Sequence, residues 1–257
     1  MLAVSTDARG IARVTLSRPE RRNAFDEALV AALGEAFAGF AHNPPRAVIL
    51  AGAGKSFCAG ADADWMRRAA QWSQPENLAD ATRLSDMLAA IDACPCPVIA
   101  QVHGAAMGGG AGLVACADMA VAHPETVFAF SEVKLGITPA TIAPFVIRAI
   151  GPRAARRYFL TAERFGAGQA LAMGLVHEVN EQPEQVVEEW ISALLGNAPG
   201  AVAEAKRLIR DVAGQPITED LRAETAGRIA ARRSSPEARE GMAAFLEKRA
   251  PSWVAAP

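Results

Sequence analysis

Three short runs of small or polar side chains carry the chemical promise of this chain, and the densest is V-H-G-A-A-M-G-G-G-A-G-L over residues 102–113. Glycine costs roughly 0.5–1 kcal/mol relative to alanine in a helix interior, so Gly108, Gly109 and Gly110 imply exposed N–H groups or a close backbone approach that repays the loss. N–H groups at a helix start can hold a developing oxyanion. The second run, Ser56-Phe57-Cys58-Ala59-Gly60-Ala61-Asp62, is another small-residue turn able to supply amides. The third, Phe130-Ser131-Glu132-Val133-Lys134-Leu135-Gly136, offers one carboxylate, Glu132. Two amides aimed at one oxygen beside an acid/base carboxylate suit enolate chemistry, in which a carbonyl oxygen takes up charge while a proton moves at the neighbouring carbon. Desolvation among apolar neighbours would raise the Glu132 pKa towards neutrality, letting it donate as well as accept. The plain alternative is a helix-capping or ion-paired Glu132.

Each run follows a predicted strand, and in a mostly parallel α/β fold ligands gather beyond the carboxyl ends of strands. Residues 11–17 read as a strand ended by Arg18-Pro19-Glu20, residues 26–40 as an amphipathic helix, and residues 46–50 as a buried strand closed by Gly52 and Gly54. Residues 79–93 form the next helix, stopped by Pro95 and Pro97, and residues 98–102 the next strand. A short helix over 109–117 is followed by strands at 119–122 and 127–130. Helices then dominate, over 139–150, 152–160, 168–173 and 183–195, interrupted by a strand at 175–179. From Pro199 onward only helices are expected, over 201–213, 217–233 and 236–249. The alternation argues α/β, and the softest region is residues 67–76. An all-helical tail must bury its apolar stripes on the body or on another subunit.

Composition narrows the field. With 257 residues, 51% of them hydrophobic, the chain has material for a large core, and a net charge of −2 gives no electrostatic case for nucleic acid. Cys58, Cys94, Cys96 and Cys116 lack a C-x-x-C pair and read as reduced core thiols. No leader-like start or long apolar span is evident, so a cytoplasmic protein without membrane contact is expected. The run Gly52-Ala53-Gly54-Lys55-Ser56 lacks the earlier glycine of a phosphate loop, no serine sits in a G-x-S-x-G elbow, and the four histidines lack metal-binding spacing. His103, beside the glycine run, is expected to be packed and satisfied, and Arg148, Arg153, Arg156 and Arg157 to lie on solvated helix faces or subunit contacts.

Taken in order, several segments resemble the crotonase superfamily, the enoyl-coenzyme A hydratases and isomerases. They are Arg18-Pro19 with Asn23-Ala24-Phe25, residues 57–62, residues 103–110, Cys116-Ala117-Asp118, residues 130–136, and residues 170–176. The resemblance covers nearly the whole chain. It implies a spiral of β-β-α units over residues 1–195, with a helical C-terminal region, residues 196–257, that closes the acyl-CoA pocket and builds homotrimers, often paired into hexamers. By carry-over, the amides of Ala61 and Gly109 grip the thioester oxygen and Glu132 is the acid/base. Arg22, Ala24, Ala59, Asp62 and Ala63 line the coenzyme A path, and Phe245 and Lys248 reach the cofactor of a neighbouring subunit. Trp65, Gly112, Pro139 and Ala140 border the acyl group. No cofactor beyond coenzyme A as part of the substrate is implied.

Two departures matter. Typical hydratases of the family carry two catalytic glutamates, and the first falls at Gly112, where no side chain can activate water. The usual Pro-Gly-x-Gly-Gly after the second glutamate reads Pro139-Ala140-Thr141-Ile142-Ala143. The run from Phe130 through Phe165 looks like the bacterial methylglutaconyl-CoA hydratases of leucine breakdown, so a branched or carboxylated enoyl thioester is the expected substrate, with extra room for it expected at Gly112. A Δ3,Δ2-enoyl isomerase or an acyl-CoA decarboxylase using the lone glutamate are the competing activities, and a crotonase-fold structural or RNA-associated protein the non-enzymatic one.

Overall fold

Alternating and continuous apolar runs set the main sheet. In the computed structural model, which describes residues 1–254, β1 (Leu2–Thr6) and β2 (Ile11–Leu16) form an antiparallel hairpin. The chain then passes through a 3-10 turn (Pro19–Arg21) and α1 (Glu27–His42) to β3 (Ala47–Gly52), parallel to β2. Strand β3, A-V-I-L-A-G, is buried on both faces, as parallel strands covered by helices are. Helices α2 (Ala63–Ala69) and α3 (Gln74–Asp92) lead to β4 (Val98–Val102), followed at once by β5 (Ala105–Met107) and α4 (Gly109–Cys116). Next come β6 (Met119–Ala122) and β7 (Val127–Ala129), a 3-10 turn (Glu132–Leu135), α5 (Ala143–Thr161), β8 (Phe165–Gly166), α6 (Ala167–Ala172) and β9 (Glu178–Val179). The six-stranded sheet runs β1-β2-β3-β4-β6-β9, and all its pairs beyond the hairpin are parallel.

A second layer turns this into a spiral. Strands β5, β7 and β8 form a small sheet, and isolated parallel bridges extend it backwards, Cys58 against Ala106 and Phe25 against Ala61. Each turn of chain therefore gives one strand to the large sheet, bends, and gives a second extended stretch to the small layer before its helix. The carboxyl ends of this second layer are residues 25, 61, 107 and 129, and the three chemical runs sit at or just beyond them.

Residues 1–188 form one compact unit, and from Glu189 the described chain forms a second. Helix α7 (Pro183–Leu195) crosses that boundary and is followed by α8 (Pro199–Val212), α9 (Glu219–Arg233) and α10 (Pro236–Glu247). All four cysteines are free and buried. Among the described residues, no helix is long and apolar enough to cross a membrane.

The structure differs from the sequence expectations at several elements. The hairpin strand β1 was not foreseen, because only one of its five residues is more than lightly covered and its apolar pattern is short. The region expected to be softest, residues 67–76, holds the end of α2 and the start of α3. Glu76 accepts from the Ser73 backbone N–H at 2.8 Å in a capping box, so α3 starts at Gln74 rather than near 79. Residues 139–142 are not helical, and α5 carries a break at Gly151, whose φ of 72° and ψ of 161° precede Pro152. Strand β9 spans two residues only, since Leu175 and Val176 turn into the core instead of pairing.

Candidate active site

The position of Ala61 is set by the first turn of the spiral. Asn23, fully buried and at a φ of 56°, accepts from the Arg18 N–H at 2.8 Å and donates to the carbonyls of Ala53 and Ser56, each at 2.8 Å. The Arg18 guanidinium bridges Asp26 and Asp62 at 3.0 and 3.1 Å and donates to the Ala24 carbonyl. These bonds lock residues 22–25 against 59–62, where Ala59 donates to Arg22, Phe25 to Gly60, and Asp62 to Phe25. Asp62 also caps α2 through the Asp64 N–H. Burial pushes the Asp62 carboxyl up, but the backbone N–H groups of Asp64 and Trp65 and the Arg18 charge outweigh it and hold it below the ordinary value.

The next turn brings Gly109 alongside. Cys58 donates to Ala105 and accepts from Met107, each at 2.9 Å, which stitches the second run to β5. The absence of side chains permits the approach: a Cβ on Gly110 would lie 2.5 Å from the Cys58 carbonyl oxygen, and one on Gly109 2.7 Å from the ring of Phe25. Ala61 and Gly109 thus follow directly on backbones in van der Waals contact. Among the described residues, no backbone carbonyl accepts from the amide of either. Gly109 opens α4, so its N–H is one of the orphan donors of a helix start and lies at the positive end of the helix dipole.

Glu132 covers the start of the same helix. A Cβ on Gly108, which has a φ of 50°, would fall 2.9 Å from Glu132 Oε1. The carboxyl therefore rests on the bare backbone of Gly108, the residue before one of the two uncommitted amides. Burial raises the Glu132 pKa, only partly countered by its own backbone N–H, and Oε2 is buried with no hydrogen-bond partner among the described residues. Among the described residues, no cation pairs with the side chain, and the 3-10 turn it opens has Ser131 at its N-cap, without a side-chain capping bond.

At Gly112 the expected extra room is absent. A Cβ there would lie 2.4 Å from Ile142 Cγ2 and 3.0 Å from Ile142 Cβ, and Ile142 is 1% exposed. The space left by the missing side chain is filled by an isoleucine, so the two sequence departures, at 112 and at 139–143, are one event in space. Ile142 went unrecognised as a site residue because its spacing from Gly112 carries no signal; the coincidence of the two departures was the available clue.

The other expected residues fall into two groups. Arg22 and Ala63 are exposed, Ala59 is partly covered, and Ala24 and Asp62 are buried, all along the paired edge beside Ala61. Asp62 spends its carboxylate on Arg18 and on capping. Trp65, four residues after Ala61, is 7% exposed, and its indole N–H has no acceptor among the described residues. Pro139 is buried and Ala140 exposed, between the Glu132 turn and α5. Phe245 and Lys248 belong to the second unit and are exposed there. His103 turns away to the Gly54 carbonyl at 2.9 Å, Arg148 pairs with Asp92, and Arg157 pairs with Glu163. Among the described residues, no group of His, Cys, Asp and Glu could hold a metal ion.

Residues 6–256 match the family model described as enoyl-CoA hydratase/isomerase. The chain belongs to that family. It is similar to the crystal structure of an enoyl-CoA hydratase from Shewanella pealeana, with a TM-score of 0.96, 41% identity, and 98% and 95% of the two chains covered. An enoyl-CoA hydratase from Mycobacterium smegmatis superposes with a TM-score of 0.92 at 38% identity, covering 98% of each. A carnitinyl-CoA dehydratase of Salmonella typhi is 34% identical over 257 residues, 95% of this chain and 94% of its own. The fold is the crotonase spiral with its helical C-terminal region, and the protein is an enzyme of the enoyl-CoA hydratase/isomerase family, a lyase acting on an enoyl-CoA thioester.

Proposed function

We propose that the enzyme adds water reversibly across the 2,3 double bond of a branched or carboxylated enoyl-CoA, such as 3-methylglutaconyl-CoA, with Glu132 as its only carboxylate. The observation that carries this reading is a partly buried carboxyl lying on Gly108, its Oε2 without a hydrogen-bond partner among the described residues, beside the uncommitted amide of Gly109. The thioester oxygen accepts from the amides of Ala61 and Gly109, each worth about 3–4 kcal/mol as charge develops. Glu132 takes a proton from water as the water oxygen bonds to the β-carbon, and the π pair moves to the held thioester oxygen. The enolate then takes the proton back from Glu132 at the α-carbon, which leaves a 3-hydroxyacyl thioester and the original carboxylate. Dehydration is the reverse, consistent with the dehydratase named among the relatives.

A polar acyl group is supported by Trp65. A buried donor without an acceptor costs roughly 1–3 kcal/mol, a cost a substrate carboxylate would remove. The Arg22, Ala24, Ala59, Asp62 and Ala63 edge is proposed to carry coenzyme A, with the side chain of Asp62 acting through Arg18 and α2. Phe245 and Lys248 are proposed to approach the cofactor of a neighbouring chain in a homotrimer or hexamer. Double-bond migration is the second reading, favoured by the single carboxylate, since one base suffices to shuttle a proton.

The deciding experiment is a panel of enoyl-CoA substrates in isotopically labelled water, run on wild type and Glu132→Gln. Solvent oxygen in the product marks hydration, and its absence with a moved double bond marks isomerisation. Glu132→Gln is expected to fold normally and lose at least about 10²-fold in kcat; retention of activity would overturn the role of Glu132. Trp65→Phe is expected to raise KM for the carboxylated substrate and not for crotonyl-CoA.

A further inference from the structure

Gly108 is the N-cap of α4, and its carbonyl accepts from the Gly112 N–H at 3.0 Å, so the two glycines are neighbours one turn apart. Glu132 covers the first and Ile142 the second. We infer that Ile142 is a specificity-determining residue whose Cγ2 methyl excludes a second water, and any side chain, from position 112 one turn along α4 from the Glu132 contact, leaving Glu132 only the reacting water, and so sets how far water addition prevails over double-bond migration. The inference rests on the proposed role of Glu132 and adds to it.

Three observations carry it. The methyl stands 2.4 Å from where a Cβ of residue 112 would be, and the Ile142 Cβ, which no rotamer can move, stands at 3.0 Å. Isoleucine is stiff at χ1, and Ile142 is 1% exposed, so it cannot swing into solvent. Gly112 is itself buried, which leaves no water-sized space between them. The start of α4, one turn before this plug, carries groups that would hold water. Glu132 Oε2 lacks a partner, and no backbone carbonyl among the described residues accepts from the amides of Gly110 and Ala111 in the first turn of α4. An internal water needs two to four polar partners. The polar groups are present; what is missing is space, and Ile142 occupies it.

The test combines a double-mutant cycle with product analysis on the intact enzyme. Gly112→Ala is expected to lower Tm, and Gly112→Ala with Ile142→Ala to recover at least half of the loss that Gly112→Ala adds; strict additivity would overturn the pairing. On one enoyl-CoA substrate in labelled water, Ile142→Ala is expected to raise the ratio of hydrated to isomerised product at least about threefold, because water enters beside Glu132. Ile142→Val, which keeps the Cγ2 methyl and folds if the alanine variant does not, is expected to hold the wild-type ratio. A wild-type ratio in folded Ile142→Ala, or a raised one in Ile142→Val, would overturn the inference. Failure of the underlying reading is separately visible: Glu132→Gln would then keep both activities, whatever the cycle shows.

Discussion

A carboxylate whose pKa is raised by burial works against stability at neutral pH and in favour of proton transfer. The sign follows from proton binding: folded Glu132 holds its proton to a higher pH than unfolded Glu132, so its contribution is most favourable below the unfolded value and is lost as pH rises through the folded one. The Glu132→Gln variant is therefore expected to have a Tm equal to or above wild type at pH 7.5, with the gap closing as pH falls through the carboxylate range. Because water addition starts from the charged form, kcat/KM for hydration is expected to fall on the acid side with a midpoint above that of an ordinary glutamate. An acid limb at or below the ordinary value would show that the reacting carboxylate is solvated. Asp62 behaves in the opposite sense. Its lowered pKa supplies stability above the unfolded value that is lost as pH falls through the folded one, and that stability belongs to the Arg18 clamp rather than to the chemistry.

Elements place these residues through backbone contacts that tolerate no substitution. Gly108 combines a φ of 50° with Glu132 Oε1 standing 2.9 Å from any Cβ, so Gly108→Ala adds backbone strain of about 1–3 kcal/mol and displaces the carboxyl. Its kcat is expected to fall at least tenfold while circular dichroism stays that of a folded protein; unchanged kcat would detach Glu132 from the start of α4. The resemblance segment Arg18-Pro19 with Asn23-Ala24-Phe25 is structural in its action, since Asn23 accepts from Arg18 within the first turn and ties that turn to the second through two further hydrogen bonds. Asn23→Ala removes all three, strands the Ala53 and Ser56 carbonyls and leaves alanine at a φ of 56°, for an expected loss of about 2–4 kcal/mol in chemical denaturation. Among the unforeseen elements, α2 is short and charged, and β1 is an exposed hairpin arm. Strand β1 owes its form to pairing with β2, and α2 to the adjacent Asp62 cap, which Arg18 of the preceding turn holds in place.

At the scale of the molecule, the second unit leaves large apolar side chains bare: Ile209 is 70% exposed, Ile217 86%, Phe245 82% and Leu246 78%. These are the side chains that the proposed assembly would cover. Sedimentation equilibrium is expected to give three or six times the chain mass, and the mass of one chain would overturn the proposed assembly.

From residues alone, the α/β alternation, the free core cysteines and the three runs proposed to hold the chemistry were legible, because strand and helix periods and dense glycine are local properties. Glu132 could be singled out for the same reason, as the one carboxylate of the third run. That residues 22–25, 57–62 and 105–109 lie side by side was carried only by family resemblance, since no local pattern encodes which turn of a spiral stacks on which. The meaning of Gly112 needed the tertiary structure outright. A missing side chain reads as vacant room in a sequence, whereas close packing allows no such vacancy in a core, and a residue thirty positions away has moved in to fill it.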